Sequence, residues 1–383
     1  MKFLTDEKRI VALRIGVPVF FIVGILMSYK LWHSDRLFPL LPVIDGFPVL
    51  PTSIDSFLPI LLIAGLAVGI FLRKRVFFIG LLALLLFLLL QDQMRWQPWV
   101  YLYFCMLIPF AVAQTYTKSL LPFFQILIIG VYFWSGIYKI GPGFMEETFD
   151  NMLRELLSIE NPDTRERFHF LGYLIPLIEV LIAIGLIFRK TRFISILAAI
   201  ASHLIILTYL IKADHNSIVY PWNLAMIFFV IILFFKSENT LNFAKIPEIH
   251  SKILVRLAIL FYILLPSLAS IGLWDKYLSF KLYSGNNGTY MIGLDMTEVR
   301  KIDRSLHPYL WEVDEPQGKY WIYLSKWSIE ELNVPFYPEI RMLKQIGSTY
   351  CKSDISPENL EFIQFNNGFK REGAVVFGCE ACR

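Results

Sequence analysis

Lys139 closes one of the most apolar runs in a 383-residue chain, within the stretch YFWSGIYKIGPGF at residues 132–144. An ammonium group at the end of a hydrophobic helix has two uses. It can snorkel, laying its methylene stem on apolar surface while the charge reaches the head groups. Or it can sit at the edge of a membrane cavity, where desolvation disfavours a cation and an amine can serve as a base. The Gly141-Pro142-Gly143 turn that follows would hold the backbone tightly over it.

Two further polar groups lie inside apolar runs. YLIPLIEVLIAIG places Glu179 mid-helix, three residues after Pro176, and AAIASHLIILTYL places His203 mid-span. Ionisable side chains at such depth are rare and mark function by default. The structural alternatives are a carboxyl bonded to a neighbouring helix and a hydrogen-bonded packing histidine. No second histidine sits three or four residues from His203, so no helical metal pair forms and no metal site is expected. His215 and Asn223 follow in KADHNSIVYPWN, and QDQMRWQPWVYLYF gathers Arg95, Trp96 and Trp99. The aromatic cluster reads as an interfacial belt or as walls for a flat ligand such as a quinone. Lys139 and His203 are therefore the candidate catalytic residues. Arg95, Trp96, Trp99, Glu179 and Asn223 are the candidate ligand-binding set.

These groups need elements to carry them. The chain is 56% hydrophobic and only 18% charged, against about 25% for soluble domains. Apolar segments at about 10–31, 56–72, 76–91, 98–114, 119–139, 168–188, 193–212, 218–236 and 252–275 predict an α-helical polytopic membrane protein of about nine transmembrane helices. The first is read as a retained helix rather than a signal peptide, since no small-residue cleavage site follows it. Residues 144–158 form an amphipathic stretch that predicts an interfacial helix on the outer membrane surface or beneath the tail.

Charge supplies the orientation. The net formal charge of +4 is too small for a nucleic-acid footprint, and no nucleic-acid partner is expected. Arg9, Arg14, the Arg73-Lys74-Arg75 cluster, Lys118, the Arg189–Arg192 cluster, Lys236, Lys252 and Arg256 all fall on one side of a nine-span bundle. That side is cytoplasmic by the positive-inside rule. The protein is then expected in a bacterial inner membrane, with its N-terminus in the cytoplasm and its tail in the periplasm.

The bundle is read as residues 1–275 and the tail as 276–383. The tail is polar, and TYMIGL, KYWIYL and AVVFGC read as short strands of a small extracytoplasmic α+β or β domain. It holds Cys351, Cys379 and Cys382, and an oxidising compartment permits a structural disulfide among them. Cys379 and Cys382 form a CxxC, for which redox exchange is the alternative.

The lysine segment resembles the Y-F-x-x-G-x-x-K-[LI] stretch of the vitamin K-dependent gamma-glutamyl carboxylases, whose membrane module is shared with the horizontally transferred transmembrane (HTTM) family. Tyr132, Phe133, Gly136, Lys139 and Ile140 fit in place. WVYLYF upstream and the His203 helix downstream look like further family segments, so the resemblance covers about 90–240. It implies that Lys139 is the base for a reduced quinone of the menaquinone or vitamin K type, and that His203 matches a histidine of the later helix. The chain differs in carrying Trp99 where the carboxylases have histidine, and in its short tail. The functional expectation is a carboxylase-like protein with a quinone cavity open to the periplasmic side, acting as a quinol-dependent oxidoreductase or carboxylase. The alternative is a non-enzymatic membrane anchor or assembly factor whose tail, 276–383, binds a partner complex. In either case the bilayer is the first partner.

Overall fold

The computed structural model describes residues 4–44, 46–48, 50–113, 115–237, 248–285, 287–312, 318–365 and 373–382. The chain divides into two compact units. One comprises Met1–Met27, Phe57–Phe87 and Gln97–Gly285, and the other Ser28–Ser56, Leu88–Trp96 and Asn286–Arg383.

The first unit is helical and makes the chain a polytopic membrane protein. Six helical stretches among the described residues are long and apolar enough to cross a bilayer: Asp6–Met27, Thr52–Gly69, Lys118–Tyr138, Pro162–Ile187, Arg192–Lys212 and Ile249–Ile271. This corrects the expectation of nine. Arg75–Gln91, Pro98–Val112 and Val219–Phe234 are apolar helices of 17, 15 and 16 residues. At about 1.5 Å per residue they rise roughly 22–26 Å, short of the ~30 Å hydrocarbon core. Their ends are set locally. Pro98 occupies the first turn of one, where its missing N–H costs nothing.

Three arginines that the charge pattern marks as loop residues are in fact buried hooks. Arg9 donates to Ile232 O and, at 2.7 Å, to Phe235 O at the end of the Val219–Phe234 helix. Arg14 reaches Ile70 O at 2.6 Å, just past the end of the Phe57–Gly69 helix. Arg192 reaches Leu186 O at 3.0 Å at the end of Leu174–Ile187. Each guanidinium satisfies carbonyls left without helical partners and opposes the negative end of the helix dipole.

The second unit is built on an antiparallel sheet of order β2-β3-β1-β4-β5. Its strands are β1 (Thr289–Asp295), β2 (Leu310–Glu312), β3 (Lys319–Tyr323), β4 (Leu360–Phe365) and β5 (Val375–Phe377). Ile292 of β1 lies opposite both Ile322 and Phe362, and all three are buried. Helices Leu324–Leu332 and Ile340–Tyr350 pack with the sheet. The unit also draws in chain from far upstream. Glu331 accepts from the backbone N–H of Leu37 at 2.6 Å and of Phe38 at 2.9 Å, while Phe38 packs on Trp327. Gln93 bonds Gln345 at 2.8 Å and accepts from Arg341 at 2.7 Å.

Cys351 and Cys379 form a disulfide, and Cys382 is a buried free thiol. Cys379 and Cys382 thus do not bond each other. The bridge joins the end of the Ile340–Tyr350 helix to the chain after β5, across 28 residues. Closing a loop of that length in the unfolded chain accounts for about 3–4 kcal/mol of stability in the chain-entropy model. Cys351→Ser and Cys379→Ser should each lower the unfolding midpoint of the second unit, read by denaturant titration of its tryptophan fluorescence, whereas Cys382→Ser should shift it far less.

Candidate functional site

The site grows from one close approach. Helix Leu121–Tyr138 carries Tyr132 and Ser135 on the face that ends in Lys139. A Cβ at Gly136 would stand 2.9 Å from the backbone oxygen of Pro176, so glycine lets this helix lie against Leu174–Ile187. Lys139 and Glu179 thereby meet. Lys139 Nζ donates to Glu179 Oε1 at 2.5 Å and to Ser135 Oγ at 2.9 Å, with the two residues 7% and 6% exposed. The lysine does not snorkel to the surface.

Glu179 Oε2 is buried and has no hydrogen-bond partner among the described residues. Such an atom carries a desolvation penalty of about 1–3 kcal/mol or more for a charged group, and each one asks for an explanation.

A second polar chain lies alongside. Asn223 Nδ2 donates to Val219 O at 2.7 Å, which turns Oδ1 toward His203 Nδ1 at 2.8 Å. Nδ1 therefore carries the proton and donates. Nε2 is left as an acceptor for the Tyr132 hydroxyl at 2.7 Å. Tyr132, His203 and Asn223 come from three helices and are all buried.

Both groups border one cavity of about 100 Å³, walled by Trp99, Trp222 and Phe280. Trp99 is held edge-on against Phe21 at 5.9 Å. Tyr283 closes another side. It has φ +56°, accepts from Asn216 through its hydroxyl, and receives Thr148 Oγ1 on its carbonyl at 3.2 Å. Two residues on, Gly285 has φ +67° and lies so close to Gly143 that a Cβ would stand 2.1 Å from that residue's carbonyl carbon. Gly143 of the Gly141-Pro142-Gly143 turn is thus met by Gly285.

The structure therefore brings Lys139, Glu179, His203, Asn223 and Trp99 to one cavity. Arg95 and Trp96 do not line it. Arg95 is fully buried in the second unit, donating to Leu31 O, Leu88 O and Trp32 O at 3.1, 2.9 and 3.1 Å, beside Asp92. Burial pushes its guanidinium down to about 10. Trp96 Nε1 donates to Leu89 O at 3.0 Å. Both hold that unit together. Phe280 and Tyr283 went unnoticed in the sequence because they lie beyond the last apolar segment. The signal for Tyr132 was its spacing of seven from Lys139, two helical turns on one face.

The Phe144–Phe149 turn is a π-helix continuing into Asp150–Leu157. Phe144, Met145, Phe149 and Leu153 cluster with Ile175, so the amphipathic stretch buries its apolar face on protein.

Breaking a buried ion pair costs about 3–5 kcal/mol, whereas replacing both partners with apolar groups of similar size is often neutral or stabilising. Lys139→Met and Glu179→Leu should each lower the midpoint of thermal unfolding in detergent. The double variant should recover it, measured by tryptophan fluorescence.

A family model described as methylamine utilisation protein MauE matches residues 117–218. No curated protein and no solved structure matches the chain. The matched stretch contains Tyr132, Lys139, Glu179 and His203. It lies within the stretch of about 90–240 on which the resemblance to the HTTM and carboxylase families rested, and the match corrects that assignment: over residues 117–218 the chain is similar to MauE, a bacterial membrane family.

Proposed function

We propose that the Lys139–Glu179 cavity binds a neutral ring compound of the quinone class, of the menaquinone or vitamin K type, and exchanges a proton with it. The observation that carries this reading is the unpaired Oε2 of Glu179, buried beside an ammonium with one donor left. Among the described residues Lys139 uses two of its three N–H groups, on Glu179 and Ser135. A hydroxyl of the reduced ring can donate to Oε2 while its oxygen accepts from Nζ. When bound, such a ring supplies two-electron, two-proton redox chemistry. The residues of the chain handle the protons. Nζ and Oε1, 2.5 Å apart, can pass one between them. His203 Nε2, held by Asn223 in its accepting form, can take another through Tyr132. Trp99 and Trp222 offer flat walls. The name of the matching family invokes methylamine. A methylammonium ion approaching Oε2 would meet the charge of Lys139, so the pair suits a neutral ligand better.

In this reading the basic clusters mark the cytoplasmic side of an inner membrane. The second unit then lies in the periplasm, where the Cys351–Cys379 bridge would persist. A second reading makes the protein an anchor or assembly factor whose periplasmic unit binds a partner complex. Its support is Trp311, Val375 and Val376, about half exposed on the two edge strands β2 and β5.

Gentle purification in detergent, followed by solvent extraction and mass spectrometry, decides between them. Wild type should carry a near-stoichiometric quinone. Glu179→Gln and the folded Lys139→Met/Glu179→Leu variant should each retain less than about a tenth of it, a loss of about 1.4 kcal/mol or more. Wild type without quinone would leave the anchor reading.

A further inference from the structure

A second cavity, of about 140 Å³, lies on the other side of the same ion pair. It shares Lys139, Glu179, Ile206 and Tyr283 with the first. The two spaces differ in character. The first is bordered by Tyr132, Ser135, His203 and Asn223. The second is bordered mainly by Phe144, Met152, Ile175, Ile178, Ile205 and Leu210. Two of these open it outward: Ile178 is 40% exposed and Ile205 53%. They sit on Leu174–Ile187 and Arg192–Lys212, inside two of the candidate membrane spans. An exposed isoleucine at that depth faces hydrocarbon, so this mouth opens sideways into the bilayer rather than toward water.

Apart from Lys139, Glu179, Thr148, Ser202, Tyr209 and Tyr283 the lining of this second cavity is apolar, and along those apolar walls water lacks the two to four polar partners it needs. A hydrocarbon chain needs none, and on entering from the bilayer it exchanges lipid contacts for equally apolar ones. We infer that the second cavity takes the hydrocarbon tail of the same ligand whose ring sits at Lys139 and Glu179, and that the ligand enters from the bilayer between these two helices. The inference rests on the ring-binding reading above. It adds that the ligand is amphipathic and that the ion pair marks the border between its head and its tail. The shared lining residues are the argument: a molecule reaching Oε2 of Glu179 from the lipid side must pass Ile178, Ile205 and Ile206.

The test compares a tail-less ring, a substituted benzoquinone, with the same ring carrying a ten-carbon tail, by equilibrium binding to the full-length protein in detergent. It uses wild type, Ile205→Trp to fill the mouth, and Ile205→Ala to widen it. In wild type the tailed ring should bind at least a hundredfold more tightly. Ile205→Trp should remove most of that advantage and leave the tail-less ring unchanged, while Ile205→Ala should keep it. Equal binding of the two rings to wild type overturns the tail assignment and leaves the ring site standing. If neither ring binds, both fall. Native mass spectrometry then separates two causes. A phospholipid held by wild type and lost in Ile205→Trp assigns the cavity to a bilayer acyl chain, and no retained lipid leaves it without a hydrocarbon occupant.

Discussion

An ammonium and a carboxylate that share a contact of 2.5 Å, each less than a tenth exposed, constrain everything around them. Neither charge is tolerable alone in a medium that screens so little. The two helices that carry them must therefore stay in one rotation and at one spacing. Gly136 against Pro176 gives the spacing. Ser135 accepts a second hydrogen bond from the lysine and fixes the rotamer. Once these are set, the faces of the neighbouring helices follow. Tyr132 is turned toward His203, and Ile178 toward the space on the opposite side. The cavities on either side of the pair are a consequence of holding it in place.

Much of this was legible, residue by residue, before the fold was known. Lys139, Glu179, His203 and Asn223 each stood out for a physical reason, a polar group inside a run where lipid tolerates few. Their convergence was not legible. Helix rotation is set by packing between segments, and the apolar faces here carry little directional pattern. Arg95 shows the opposite failure. A basic residue beside tryptophans at a helix start reads as a ligand rim, yet its partners are carbonyls of Leu31 and Trp32, more than sixty residues upstream. No local spacing encodes that. The arginines counted as loop charges share the lesson. Arg9, Arg14 and Arg192, which read from the sequence as charges flanking apolar runs, serve as caps on other helices.

The misplaced resemblance has a physical origin as well. Glycine three residues after an aromatic pair and three before a lysine describes a helix that packs tightly and ends at an interface. Unrelated membrane bundles meet both demands with the same residue types. The match to MauE extends over residues 117–218, well beyond the nine positions of the lysine segment.

The bond from Phe38 to Glu331 spans 293 residues. Ribosomes add roughly 5–20 residues per second. The early loop therefore waits about 15–60 s after it is made before the acceptor for its backbone exists, and the intervening helices must be inserted in that interval. During that time Phe38 and Trp32, later buried, have no domain to enter. Maturation of the second unit is thus tied to completion of the chain. A chain cut short before Glu331 would leave a membrane bundle bearing an exposed aromatic loop, the kind of feature by which quality-control proteases tell an unfinished protein from a finished one.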